Sequence, residues 1–221
     1  MINLYIIRHG ETAGNVRRLI QGVTNSHLNA RGRKQAYALG VGLRISGLKV
    51  ERIVASDLIR AQETAQQILL GMQKKLPVET DSGLREQNDG IFEGRELEDV
   101  SQEVFQVPDY HQLVTSGKVP IEAIADGFHA ADTTNQAEDS QQVIARYDFA
   151  LRRIVAAAET AGQSNVLVVS HGTAGKALHN FPHMRVIIVE NSHAAAAEQR
   201  PLPLWFCASM GCNSPRNSLS G

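Results

Sequence analysis

Two short turns hold most of the chemistry this chain can offer. An apolar run, Ile2 to Ile7, ends in Arg8-His9-Gly10-Glu11-Thr12, and a second, Val166 to Val169, ends in Ser170-His171-Gly172. A polar residue at the end of one strand ordinarily does no more than meet water. Two His-Gly turns at two strand ends ask for another explanation. In open α/β sheets ligands bind beyond the carboxyl ends of the strands, which is where both imidazoles would project. A helix starting soon after each glycine would add free backbone N–H groups and a positive dipole end, so an anion, and phosphate first, is the expected ligand. A third strand end, Ile53-Val54-Ala55, runs into Ser56-Asp57 and sets Arg60 on the first turn of the next helix. A planar guanidinium above a strand end suits bidentate phosphate binding.

The elements that must position these side chains follow from periodicity. Ile2 to Ile7 is continuous rather than alternating, the pattern of a parallel strand covered on both faces. Ala36, Leu39 and Leu43 recur at helical spacing between Gly32 and Gly47. Val50 to Ala55 reads as a second strand, and Asp57 is placed to cap a helix whose Ala61, Ala65, Ile68, Leu69 and Met72 share one face. Pro77 and Val78 open a third, weaker strand. From about residue 94 to 138, Pro108, Gly117, Pro120 and Gly127 break up short helical pieces while Val104, Phe105, Tyr110, Ile121 and Phe128 keep them apolar; this segment reads as an inserted cap. Val143, Tyr147, Leu151, Ile154 and Ala158 mark a long helix before the strand at Val166. The order predicts an α/β fold: a three-layer α/β/α sandwich with a mainly parallel central sheet, formed by residues 1–221 as a single domain with one cap insertion.

Charge excludes some functions. With 22 basic and 23 acidic residues the formal charge is −1, so no global field draws the protein to nucleic acid or an acidic membrane, and anion binding must be local. No apolar run approaches a bilayer span, and the N-terminus lacks the basic lead and cleavage site of a secretion signal, so a cytoplasmic location is expected. Cys207 and Cys212 are then expected as free thiols. His179 and His183 have a zinc-pair spacing, but Pro182 between them would break the helix that such a pair needs, and no metal is expected. His27, His111, His129 and His193 have no partner pattern and read as surface residues.

Taken in order, Arg8-His9-Gly10-Glu11-Thr12, Asn15, Ser56-Asp57 with Arg60-Ala61 and Thr64-Ala65, Leu84-Arg85-Glu86, and Ser170-His171-Gly172 resemble the histidine phosphatase (phosphoglycerate mutase-like) superfamily over roughly residues 1 to 192. The resemblance implies that His9 is the nucleophile that forms a phosphohistidine. It implies that Arg8, Arg60 and His171 surround the phosphoryl oxygens, that Asn15 also donates to phosphate, and that the Gln21-Gly22 turn closes over it, with Thr173 at the edge of the site. Glu86 falls where the family keeps the acid for the leaving alkoxide; Asp89 and Glu93 are nearby rivals. No cofactor is implied, and the expected partner is a small phosphorylated metabolite. Glycolytic mutases of the family carry a Glu-Arg-x-Tyr-Gly stretch followed by Asn-Lys, and a His-Gly-Asn turn. This chain has Leu84-Arg85-Glu86-Gln87-Asn88-Asp89-Gly90 and His171-Gly172-Thr173 instead, which favours a phosphatase acting on a monoester such as a sugar phosphate or phosphoglycerate. Mutase-type transfer, and a non-catalytic module binding phosphorylated ligands or a protein, are the alternatives. After Asn191-Ser192 the tail, about residues 193–221, lacks the family's alternating terminal strand: His193 and Ala194 to Ala197 lead into Pro201 and Pro203. Either another tail replaces that strand or the sequence is altered there. An exposed sheet edge follows, compatible with a homo-oligomer.

Overall fold

The computed structural model describes residues 1–115, 119–172 and 184–189. Among these, five strands form one sheet: β1 (Ile2–Arg8), β2 (Arg52–Ala55), β3 (Val78–Thr80), β4 (Asn165–Ser170) and β5 (Met184–Val189). Their order is β3-β2-β4-β1-β5 and every pairing is parallel. β1 and β4 are neighbours, with Ile7 opposite Val169 and Arg8 opposite Ser170. This register brings His9 and His171 side by side, one residue past the paired ends. Leu4, Ile6, Ile7 and Val166 to Val169 are buried, because helices cover both faces of the central strands. β5 is a strand that the sequence reading passes over, although Val186 to Val189 is as apolar as β1. It pairs with β1 and places that strand, with its His9 turn, inside the sheet.

On one face lie α2 (Ala30–Ile45) and α3 (Ile59–Met72), and on the other α7 (Ser140–Thr160). Ala36, Leu39, Leu43, Ala61, Ala65 and Ile68 join Ile53 and Leu167 in the first core; Tyr147, Leu151 and Ile154 join Leu4 and Val168 in the second. The three layers expected from the sequence are therefore present. α2 and α3 touch backbone to backbone. A Cβ on Gly40 would lie 2.1 Å from Ile68 O, and one on Gly71 2.1 Å from Tyr37 O, so neither position admits a side chain. Asn29 caps α2 through Gly32 N, and Asp139 forms a capping box with Gln142 on α7.

α3 corrects one expectation. Its N-cap is Leu58, with no side-chain cap, while Asp57 accepts two hydrogen bonds from Arg85, Nε at 2.7 Å and Nη2 at 2.6 Å. A charge-assisted bidentate pair is stronger than a single bond to a backbone amide, and it takes the carboxylate away from the helix end.

The segment between β3 and α7 carries α4 (Leu97–Phe105), α5 (Tyr110–Thr115) and α6 (Ile121–Ala131). It has a core of its own, in which Phe128 sits 5.6 Å from Phe92 and 5.3 Å from Phe105, with Ile20, Val100 and Leu113 around them. Asp132 fastens the end of α6 by accepting from Ile91 N, Thr134 N, Gln136 N and Ala137 N. No helix of the described residues is long and apolar enough to cross a membrane.

Candidate active site

His9 leaves β1 with its N–H on Ser170 O at 2.9 Å, which ties the two His-Gly turns together. Its Nδ1 lies 2.8 Å from Gly10 O. A carbonyl oxygen only accepts, so Nδ1 carries the proton and Nε2 the lone pair. The ring is 8 % exposed. Burial first, then the Arg60 and Arg8 guanidinium groups, lower its pKa to about 3 against the pull of the Gly10 hydrogen bond. Gly10 is pinned from two sides, by N–H donation to Thr64 Oγ1 at 3.0 Å and by Gly32 O, which a Cβ would meet at 2.5 Å.

His171 is 2 % exposed, and its ring centroid is 5.2 Å from that of His9, with the planes at 58°. Neither ring nitrogen has a hydrogen-bond partner among the described residues. Burial, with His9, Arg60 and Arg8 nearby, holds it well below the usual imidazole range. Two buried nitrogens without partners among the described residues are free to meet an incoming ligand.

Arg60 is 0 % exposed on the first turn of α3. Its Nη1 donates to Thr24 O at 2.7 Å, and its Nη2 to Gln21 O at 2.8 Å and Gly22 O at 2.7 Å, leaving the buried Nε without a partner among the described residues. The fork expected to grip phosphate is thus held by carbonyls. The Gln21-Gly22 turn, expected to close over the anion, offers Arg60 its carbonyl oxygens. Gln21 also holds Thr12 Oγ1 at 2.7 Å and Ser26 Oγ at 3.0 Å on its Oε1, with Nε2 buried and without a partner among the described residues. Glu93 braces this loop by accepting from Val23 N at 2.8 Å and Thr24 N at 3.0 Å. Arg8 is exposed, and its Cζ lies 3.4 Å from where a Cβ on Gly172 would be.

The helix expected after Gly10 is a single turn, α1 (Ala13–Val16), capped by Thr12 and Asn15 on each other. Asn15 Oδ1 accepts from Thr12 N at 3.0 Å. Thr173 and whatever follows Gly172 up to residue 183 lie outside the described residues, as do His179, His183, His193 and the tail.

Glu86 reaches the second turn directly: Oε2 accepts from Gly172 N at 3.0 Å and Oε1 from Gln87 N at 3.1 Å. Its loop is shaped by Arg146 of α7, a residue that sequence reasoning missed. Arg146 donates to Gly83 O, Arg85 O and Glu86 O at 3.1, 2.8 and 2.8 Å and pairs with Glu138 at 2.6 and 2.7 Å. Glu138 then takes Asn88 N at 2.9 Å. An arginine between the apolar positions of a helix gives no hint that it will bind three carbonyls of a distant loop.

The other described histidines, His27, His111 and His129, stay at the surface but are not all idle. His27 Nδ1 is 2.7 Å from Glu63 Oε1, and His129 Nδ1 is 2.6 Å from Ala137 O. His27 thus has a partner that its sequence context did not suggest. No group of three His, Cys, Asp or Glu among the described residues is placed to hold a metal ion.

Comparison with known proteins agrees with this arrangement. The profile of the histidine phosphatase superfamily (branch 1) matches residues 4–181. A broad-specificity phosphatase of Saccharomyces cerevisiae is 32 % identical over 175 residues, 79 % of this chain and 67 % of the yeast protein. The crystal structure of phosphoglycerate mutase from Bacillus anthracis superposes with a TM-score of 0.71 at 36 % identity, covering 79 % of this chain and 76 % of that one. A mycobacterial glucosyl-3-phosphoglycerate phosphatase superposes at 0.58 with 26 % identity, over 78 % and 77 % of the two chains. With its two histidine turns meeting at one sheet edge and its sequence matched from β1 to beyond β4, the chain belongs to the histidine phosphatase superfamily, branch 1.

Proposed function

We propose that this phosphatase hydrolyses monoesters of small phosphorylated metabolites through a phosphohistidine on His9. The observation that carries the reading is the protonation pattern of that ring: Nδ1 is committed to Gly10 O, and Nε2 is unprotonated beside His171 and Arg60. In the first step Nε2 attacks phosphorus, the P–N bond forms, the P–O bond to the alcohol breaks, and Glu86 gives the departing oxygen a proton. In the second, water attacks the same phosphorus, Glu86 takes its proton, and the P–N bond breaks to release phosphate. Phosphoryl transfer asks little of a protein beyond alignment and charge compensation. Arg8, Arg60 Nε, Gln21 Nε2, Asn15 and one nitrogen of His171 supply these. Thr173 belongs to the same proposed set through its place after Gly172. The proposal includes a cytoplasmic location, in keeping with the small phosphorylated metabolites expected as substrates.

Incubation with p-nitrophenyl phosphate without added metal should release phosphate, and His9→Ala should abolish the release. The wild type should also yield an acid-labile phosphoryl adduct that the variant lacks. Glu86→Gln should slow hydrolysis of an alkyl ester about 10²- to 10⁴-fold and that of p-nitrophenyl phosphate much less, because nitrophenolate leaves without a proton. Ligand binding with no turnover of any ester would reduce the protein to a binding module. The similarity to the Bacillus anthracis mutase keeps transfer chemistry as a second reading. Isomerisation of 3-phosphoglycerate faster than its hydrolysis would establish it.

A further inference from the structure

The proton on His9 Nδ1 is placed by Gly10 O, and what aims that carbonyl lies on another element. The Gly10–Glu11 peptide is planar and trans, so its C=O and N–H point to opposite sides. Whatever holds the Glu11 N–H therefore sets the direction of Gly10 O. That N–H donates to Oε1 of Gln35, a half-buried residue of α2, at 3.1 Å. The rest of Glu11 is fastened to the same end of the helix. Its carbonyl oxygen accepts from Asn29 N at 2.9 Å, its Oε1 from Asn29 Nδ2 at 2.7 Å and its Oε2 from Arg31 Nη1 at 3.3 Å. Gly32 permits this approach, since a Cβ there would lie 2.1 Å from Glu11 O. The preceding peptide is held separately: Gly10 N donates to Thr64 Oγ1 at 3.0 Å, and that hydroxyl donates to Arg60 O at 2.7 Å.

Two consequences follow for the nucleophile. Glycine has no Cβ to restrict its own rotation, so Gly10 by itself does little to hold the peptide plane that follows it, and Gln35 supplies the restraint. With that plane turned over, Gly10 O would leave Nδ1 and the ring proton could move to Nε2, which removes the attacking lone pair. The second consequence is electronic. A peptide whose N–H is already bonded presents a more negative carbonyl oxygen and so accepts more strongly from Nδ1. Once phosphorus bonds to Nε2 the ring becomes cationic and the bond from Nδ1 to Gly10 O becomes charge-assisted. An interaction that strengthens on the way to the transition state raises kcat and leaves KM nearly unchanged.

On the phosphatase reading above, we propose that Gln35 is a positioning residue for the nucleophile: by holding the Glu11 N–H it aims Gly10 O at His9 Nδ1 and keeps the attacking nitrogen free of a proton.

The test reads the ring directly, by long-range proton–nitrogen NMR spectra of the imidazoles, with the His9 signals identified by their loss in His9→Gln. Wild type should show His9 protonated on Nδ1. Gln35→Met, which keeps the volume and removes the acceptor, should move the ring nitrogens toward a mixture of tautomers, whereas Gln35→Glu, which keeps an acceptor at the same reach, should preserve the wild-type pattern. In kinetics Gln35→Met should lower kcat about fivefold to tenfold for p-nitrophenyl phosphate and glucose 6-phosphate alike, with KM changed less than about twofold, because attack and not departure is impaired. Gln35→Glu should recover most of the loss. Should Gln35→Met not fold by circular dichroism, Gln35→Ala is read in the same way. A tautomer unmoved by loss of the acceptor, or a fall in kcat that Gln35→Glu shares in full, would overturn the role. Absence of phosphate release from p-nitrophenyl phosphate by the wild type is a separate result that would overturn the phosphatase reading, while the spectra would still judge Gln35.

Discussion

A histidine attacks phosphorus only through a nitrogen without a proton, and the carbonyl of Gly10 selects which nitrogen that is. The same burial makes His9 a stability determinant. Unfolded, it takes up a proton near its ordinary value of 6.5; folded, it resists until about 3. Between these values the unfolded chain binds more protons, so stability falls as pH is lowered through the window and is untouched by this residue above it. His171 acts in the same direction. Urea midpoints followed from about pH 7.5 to about pH 5 should fall less steeply for His9→Gln than for wild type, and equal slopes would show the ring solvated. At this scale the positions of His9, His171, Arg60 and Glu86 were legible, because each stands at a strand end, on a first turn or in a matching motif. Asp57 was misread as a helix cap, whereas Arg85 holds it in the fold, and the fork of Arg60 has partners that the sequence does not suggest, the carbonyls at residues 21–24.

Elements fix what single residues cannot. The loop bearing Glu86 has only two short turns of its own, Ser82–Leu84 and Gly90–Phe92, and α7 fastens its first half through Arg146. Arg146→Met leaves Glu138 without its cation and three carbonyls without a donor, and the pair is only partly exposed. We expect a loss of about 2–3 kcal/mol by chemical denaturation. At a temperature where the variant is folded, hydrolysis of an alkyl ester should slow more than that of p-nitrophenyl phosphate, since Arg146 holds the loop of Glu86, the carboxyl proposed to protonate the alkoxide. A uniform loss on both esters would mark the role as structural only. Periodicity located α2, α3 and α7 closely, and the apolar runs located β1 and β4. β5 carries the same signal in Val186 to Val189, but no chemistry-bearing turn of the kind that follows β1 and β4 drew attention to it.

Across the whole molecule the charge nearly cancels, at −1, while the cations that matter sit at the sheet edge. Attraction of a phosphate ester is then short-ranged. kcat/KM should fall by no more than about threefold between about 0.05 and 0.5 M salt, and a tenfold fall would reveal steering by the whole surface. By itself the sequence determined the layer order, the parallel sheet, the cap and the family, because burial on both faces forces continuous apolar strands and the motifs follow in order. Only the tertiary structure decided that the two histidine rings stand 5.2 Å apart, that Arg60 is gripped by loop carbonyls, and that Arg146 of α7 fastens the loop of Glu86. The reason is physical: periodicity records which faces are buried, whereas hydrogen bonds between segments far apart in the chain depend on strand register and helix packing, which no local pattern encodes.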